Sequence, residues 1–415
     1  MPGAANETER VGGDDGRVGV YLHLPWCERV CPYCDFAVLA ARPLSVEDED
    51  RYVADLLSEL AARAPAFAPR GLASLYLGGG TPSLFRPASI ARLVEAVRAT
   101  FSVESGESDE SDDVEVTLEL NPSTVERDRL PGFRDAGVNR LSIGVQSFDD
   151  GLLKRLGRAH RAEVAHSTLD AARAAGFADL SLDLIFAGPD QIAADLDGDL
   201  DALIAFGPEH VSTYELTFEP ATPFGRAVAD GRMTPADEDL AAAMIEQVEA
   251  RLESAGYGRY EISSYARPGR RARHNARYWQ RQAVLGLGMG AHSTEPRSAS
   301  HPHGARRANP RGLATWRAAL DRDPANAGEE EDIDAATARG EAIFLGLRQV
   351  EGLSAAAFAA EFGGAPRAFF APEIGRLVAS GWLAETGEGD LRLTREGRLV
   401  ADSVATEFVV AAASD

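Results

Sequence analysis

Lysine is almost missing from this 415-residue chain; it occurs once, as Lys154. The 42 basic residues, otherwise arginine, face 65 Asp and Glu, for a formal net charge of −23. Such a surface repels nucleic acid and anionic membranes, so neither is expected as a partner. Adaptation to high salt, where dense carboxylates keep a protein soluble, accounts for the charge without a functional acidic face. No run of about 18 apolar residues occurs, so no membrane span is expected. The opening stretch MPGAANETERVGGDDGR is polar and lacks the charged-then-apolar pattern of a secretion signal, which points to a cytoplasmic location. Cysteine is scarce too. Its three copies, Cys27, Cys31 and Cys34, sit in one short stretch, CERVCPYC. Clustering of this kind argues against a secreted disulfide scaffold and for a metal or reactive site.

Short apolar runs alternate with helical stretches. The runs lie at 17–24, 72–77, 114–120, 139–145, 180–186 and 210–218, and read as parallel strands buried on both faces. Helices are expected at about 46–64, 88–101, 123–136, 149–176, 191–206 and 235–255. In the fifth, Asp197 and Asp201 share a face that must be solvated. Six β-then-α units imply an α/β fold, a partial parallel (β/α)6 barrel over 17–258. Residues 1–16 read as a disordered acidic tail and 102–115 as a solvated acidic loop. An extension (259–320), a linker (321–337) and a C-terminal module (338–412) follow. That module reads as helix, hairpin, helix, a winged-helix-like α+β unit. Its LTREG segment is no basic recognition surface, so a structural or client-binding role is expected.

In a parallel barrel, functional residues gather where strands run into the following loops. After strand one comes the cysteine loop. Three thiolates would leave one iron of an iron–sulfur cluster open, whereas zinc would want a fourth ligand, for which His23 is the candidate. After strand two, Gly78, Gly79 and Gly80 let a ligand approach the backbone, followed by Thr81. Strand three ends in Glu119 and Asn121, strand four in Gln146, with Arg158 and His160 beyond it. Strand five carries Asp183, and strand six carries Tyr214, Glu215 and Thr217. A small ligand with an amino group, a carboxylate and hydroxyls suits this set. LGLGMGAHS (285–293) lacks a dinucleotide-binding context and reads as close packing beside the site. His160 and His292 could line the mouth or be structural.

C-x3-C-x2-C after a first strand, followed by GGGTP, resembles the radical S-adenosylmethionine (SAM) superfamily. The resemblance implies that Cys27, Cys31 and Cys34 bind a 4Fe–4S cluster, that SAM fills the open iron position, and that reduction cleaves it to a 5′-deoxyadenosyl radical. YLHLPWCERVCPYCDF, LELNPSTV, GVNRLSIGVQSF, LGRAH and HNARYW narrow the likeness to the oxygen-independent coproporphyrinogen III oxidase branch, with its HemW haem-chaperone subgroup. Positions resembling SAM contacts are Tyr21, Tyr33, Gly79, Gly80, Thr81, Glu119, Gln146, Arg158, Asp183 and, by spacing, Thr217.

The oxidases of that branch carry a fourth cysteine where Phe36 stands here, and a longer segment before the cluster. Both departures favour the chaperone subgroup. The H-N-x-x-Y-W core (His274, Asn275, Tyr278, Trp279) resembles its haem-binding motif, which implies His274 as the haem ligand. Six arginines at 267, 270, 271, 273, 277 and 281 could pair with haem propionates. The expected function is a radical-SAM-fold haem chaperone passing haem to client haem proteins, with a possible electron donor and peripheral contact with membrane haem proteins. The alternatives are a coproporphyrinogen III oxidase and a zinc-stabilised binding protein. Coproporphyrinogen oxidase activity itself is not expected.

Overall fold

The computed structural model describes residues 14–40, 43–101 and 114–412. Most of the expected N-terminal tail and acidic loop lies outside these residues.

Six parallel strands form the centre: β1 (Arg17–Leu24), β2 (Gly71–Gly79), β3 (Glu115–Leu120), β4 (Arg140–Gln146), β5 (Leu180–Phe186) and β6 (His210–Glu215). Each pairs in parallel with the next. Helices α1 (Val46–Arg63), α2 (Pro87–Thr100) and α3 (Thr124–Asp135) follow the first three strands. The stretch expected as one helix over 149–176 is two, α4 (Asp150–Arg155) and α5 (Ala162–Ala174). Gly157, at φ 70°, turns the chain between them into a conformation that L-residues avoid. Next come α6 (Ala193–Phe206), α7 (Pro223–Ala229) and α8 (Glu238–Ser254). Asp197 and Asp201 are half-exposed or more and both pair with Arg251 of α8.

The sheet continues past the six strands on both sides. Beyond β6 lie the antiparallel β7 (Gly258–Arg259) and β8 (Ser264–Ala266). Helix α9 (Arg273–Trp279) follows, carrying the HNARYW motif. β9 (Val284–Leu287) then runs parallel to β1, as a seventh parallel strand. Three antiparallel strands finish that side: β10 (His292–Glu295), β11 (Ala305–Ala308) and β12 (Glu329–Asp332). The order is therefore β12-β11-β10-β9-β1-β2-β3-β4-β5-β6-β8-β7. β12 corrects the expectation of a plain linker at 321–337. Its sequence is EEED, and it is held by the Arg306–Glu331 and Arg307–Glu330 pairs rather than by apolar burial.

The expectation of strands apolar on both faces is also corrected. On β4, Leu141, Ile143 and Val145 pack outward in the core, while Arg140, Ser142 and Gln146 face an interior cavity. β5 repeats this: Leu180, Leu182 and Leu184 in the core, Ser181 and Asp183 inside. Period-two alternation thus separates an oily jacket under the helices from a polar lumen.

After α10 (Leu313–Arg322), the C-terminal module comprises α11 (Ala335–Leu347), α12 (Ala355–Phe362), α13 (Pro366–Ala379), the hairpin β13 (Leu383–Glu385) and β14 (Leu391–Leu393), then α14 (Arg395–Leu399) and α15 (Ala401–Ala412). It has its own core, centred on Phe358, Phe370, Ile374 and Phe408, against which Ile262 of the barrel side packs. Among the described residues no helix is long and apolar enough to cross a membrane.

Candidate functional site

A two-residue parallel bridge zips the stem of the cysteine loop, pairing Trp26 with Leu39 and Cys27 with Ala40. Trp26 anchors the stem in the core, edge-on to Tyr52 with ring centroids 4.8 Å apart. His23 ties down the far side: Nε2 lies 2.8 Å from the Ala37 carbonyl and Nδ1 3.0 Å from the Tyr21 hydroxyl. Both ring nitrogens are therefore engaged, which removes His23 as a ready fourth zinc ligand. Among the described residues no three His, Cys, Asp or Glu side chains form a preassembled metal-binding group. The three thiols are unpaired, and all line the mouth of one cavity of about 870 Å³. Burial raises the Cys27 thiol to about 11, against a lowering by the Thr81 hydroxyl, and raises Cys34 as well. Neutral thiols in a shielded loop become ligands when a metal displaces their protons.

The glycine turn abuts this loop. Gly80 N donates to the Leu24 carbonyl at 3.0 Å, and Thr81 N to that of Trp26 at 2.8 Å. Gly79 sits at φ 108°, and a Cβ there would lie 2.4 Å from the His23 ring. The third residue of the run, Gly80, would strike the Pro25 carbonyl at 2.6 Å. Only glycine permits this approach.

Below the loop, Glu119 is held at both oxygens, by the Tyr76 hydroxyl at 2.8 Å and by Gly79 N at 2.9 Å. Burial raises its pKa. Asp183 opens onto the same lumen, with the Ser142 hydroxyl 3.3 Å away; burial and then the Glu119 charge raise it to about 7. A buried carboxylate whose charge raises a second one's affinity for protons makes a site that favours a cationic ligand. Arg158 crosses the cavity wall. Its Nη1 lies 3.4 Å from Cys31 Sγ, and its Nη2 donates to the Gly144 carbonyl at 2.8 Å and to Asn121 Oδ1. Asn121 in turn donates to Thr81 Oγ1 at 2.7 Å. A strand irregularity between Ile143 and Gln146, with Gln146 at φ 66°, re-aims the Gln146 side chain at the cavity.

All the sequence-derived candidates for SAM contact line this cavity except Thr81, which lies buried behind it on Asn121. The residues also pass a test of fit. Thr117 Oγ1 and Arg158 Nε are buried without partners, and both residues line the cavity, leaving polar atoms for a ligand. Tyr76 was not foreseen because it reaches the lumen from the middle of β2 rather than from a strand end. His160 is structural, its Nε2 3.0 Å from the Val145 carbonyl, and burial lowers it to about 4.

His274 departs from expectation. It is 1 % exposed, does not line the cavity, and has both ring nitrogens engaged: Nδ1 with the Ser74 hydroxyl at 2.8 Å, Nε2 with the Tyr278 hydroxyl at 3.1 Å. Its ring stacks on Tyr76, 5.2 Å between centroids. Burial lowers its pKa to about 3. In this structure its ring is packed away from the cavity, while its neighbours Asn275 and Tyr278 face the lumen. The arginines around it are mostly occupied as well. Arg277 pairs with Asp15, Arg281 with Glu361, Arg271 with Glu351 and Arg270 with Asp179, and Arg267 lies over the Tyr257 ring.

Comparison with known proteins agrees with this geometry. Residues 21–203 match the radical SAM superfamily, and 333–400 match the HemN C-terminal domain. The heme chaperone HemW of Escherichia coli is 34% identical, with 94% of this chain and 98% of the relative covered. The heme chaperone HemW of Bacillus subtilis is 31% identical, again over 94% and 98%. Among solved structures, the coproporphyrinogen III oxidase HemN from Escherichia coli, a radical SAM enzyme, superposes with a TM-score of 0.78 over 94% of this chain and 90% of its own, at 23% identity. That likeness speaks for the fold alone. With its sequence aligned to HemW proteins over nearly their whole length, this chain belongs to the HemW family of radical SAM proteins.

Proposed function

We propose that this protein is a haem chaperone, holding a 4Fe–4S cluster on Cys27, Cys31 and Cys34, with SAM beside it in the lumen, and passing haem to client haem proteins. The observation that carries this reading is the end-to-end similarity to heme chaperones. The exposed Phe36 on the cavity rim, where the oxidases carry a cysteine, supports it further. Glu119 and Asp183 would receive the cationic end of SAM, Arg158 its carboxylate, and the glycine turn its approach to the backbone. When bound, the cluster supplies an electron to the sulfonium. The protein's own part is to shield the thiols, orient the ligand and exclude water. A cytoplasmic location, an electron donor and contact with membrane-bound clients belong to the same reading.

Oxidative decarboxylation of a porphyrinogen is the second reading, favoured by the match of residues 333–400 to the HemN C-terminal domain. One anaerobic experiment decides between them. The full chain, reconstituted with iron and sulfide, is assayed for haem binding, haem transfer to an apo-haem protein, and porphyrinogen oxidation. Haem binding and transfer without porphyrinogen turnover is expected. Steady porphyrinogen turnover would overturn the chaperone reading.

A further inference from the structure

We propose that Ser74 is a positioning residue for the haem ligand: it holds Nδ1 of His274, so that Nε2 takes the haem iron when the Tyr278 hydroxyl leaves it. This rests on the haem-binding reading above, with His274 of the α9 motif as the ligand. It assigns the bonding nitrogen and adds a residue from outside that motif.

The two ring nitrogens of His274 have unlike surroundings. Nδ1 lies 2.8 Å from the hydroxyl of Ser74, which is fully buried on β2 and does not line the cavity. Nε2 lies 3.1 Å from the hydroxyl of Tyr278, the longer of the two contacts, and Tyr278 lines the cavity. Nε2 is therefore one side chain away from the lumen, and the cavity gives the phenol ring space to move into. Reaching Nδ1 would instead require Ser74 to leave the middle of a strand.

Strand packing makes Ser74 a fixed partner. It pairs with Gly19 on β1 and with Glu115 on β3. A Cβ on Gly19 would come within 3.2 Å of Ser74 Oγ, so the hydroxyl is confined from that side. Glu115 accepts from the backbone N of Arg273 at 3.0 Å and of His274 at 2.9 Å. Two neighbouring strand residues thus hold the ring and the backbone of one histidine. Tyr76, two residues along β2 and on the same face, stacks on the ring at 5.2 Å. Arg277 donates to the Arg17 carbonyl at 2.8 Å, which ties α9 to β1 as well.

A neutral imidazole donates from one nitrogen and accepts at the other. With its proton on Nδ1 and given to Ser74, His274 offers the Nε2 lone pair first to the Tyr278 hydroxyl and then to iron. The step exchanges a hydrogen bond for a coordinate bond, and the phenol keeps its proton. Metal-ligating histidines give their other N–H to a partner of this kind, which fixes the ring and raises its basicity.

The test is haem titration of the anaerobically reconstituted full chain, with the cluster oxidised and cluster iron measured in every variant. Ser74→Ala should weaken haem by about tenfold or more and raise the haem reduction potential, because an imidazole without its acceptor is a poorer donor to ferric iron. Ser74→Thr should restore both. Tyr278→Phe should tighten haem by about twofold or more, since no hydroxyl has to be displaced. A measurement on the wild type needs no variant to fold: with isotope-labelled histidine, the strong nitrogen coupling of the ferric haem in electron–nuclear double resonance should follow the label at Nε2. A strong coupling at Nδ1 or at no histidine, wild-type affinity and potential in Ser74→Ala, no rescue by Ser74→Thr, or unchanged or weaker binding in Tyr278→Phe would each overturn the proposal while leaving haem binding intact. Absence of haem binding by the wild type would instead overturn the chaperone reading and this assignment together.

Discussion

Arg158 brings Nη1 to 3.4 Å from Cys31 Sγ while its Nη2 is held by the Gly144 carbonyl and Asn121. One side chain thus links the cysteine loop to the ends of two strands. With its guanidinium fixed at one edge, this cavity-lining residue keeps one buried donor, Nε, without a partner.

Replacing Arg158 with glutamine should therefore affect the ligand more than the cluster. Loss of a charge-assisted pair with a carboxylate is expected to weaken SAM binding by roughly tenfold or more, about 1.4 kcal/mol or above. The fold should lose about 1–3 kcal/mol from the acceptors left unpaired at Asn121 and Gly144. Equilibrium SAM binding and iron content, measured on one reconstituted sample, check both parts. Unchanged affinity with full iron content would remove Arg158 from the binding site.

Asp183 carries a pH dependence of known sign. Its pKa is raised from 3.8 to about 7, so between these values the native chain keeps a proton that the unfolded chain has released. The Asp183 contribution to stability then falls as pH rises from about 4 to about 7 and stays level above, by up to a few kcal/mol. Asp183→Asn should lack this loss. In urea unfolding, the variant should gain on the wild type from pH 4 to pH 8, with the difference greatest at pH 8. A difference independent of pH would contradict the assignment.

How far the sequence was readable follows from where its patterns come from. The six central strands stood out because their outward faces are Leu, Ile and Val packed under helices. The polar lumen was missed because small inward residues such as Ser142 and Ser181 do not break an apolar run visibly. Strand β12 could not be seen at all, since EEED owes its place to arginines on β11. Strand β9 is four residues long and hidden in a glycine run. The cavity lining was partly legible because residues such as Glu119, Gln146 and Thr217 sit at or just beyond strand ends, where the fold class alone locates candidate sites. The burial of His274 was not, because Ser74, Tyr76 and Tyr278 meet it only through tertiary packing.

Salt should stabilise this protein. A net charge of −23 repels itself, and at 1 M salt the screening length is only about 3 Å. Exposed ion pairs such as Arg367–Glu385 weaken under the same screening, but each is worth only about 0–1 kcal/mol. Relief of the repulsion should win, giving a Tm that rises by several degrees between 0.05 and 1 M NaCl. A falling Tm would show that the ion pairs dominate.

The last relationship joins the C-terminal module to the motif helix. Arg281, two residues beyond α9, pairs with Glu361 of α12 at 2.6 Å, with both side chains nearly buried, and Arg348 of the module's side lies over the Trp279 ring at 4.7 Å. Breaking a buried pair by removing one partner costs about 3–5 kcal/mol, because the remaining charge is stranded. Here Arg297 also reaches Glu361, at 2.9 Å, and would compensate in part. Arg281→Ala should therefore cost about 1–3 kcal/mol, and the Arg281→Ala/Arg297→Ala double variant more than the sum of the singles. The loss should concentrate at the seam: hydrogen exchange should quicken in α9 and α12 while β3–β5 keep wild-type protection. Uniform quickening across the barrel would mean that the pair supports the whole fold rather than the docking of the module.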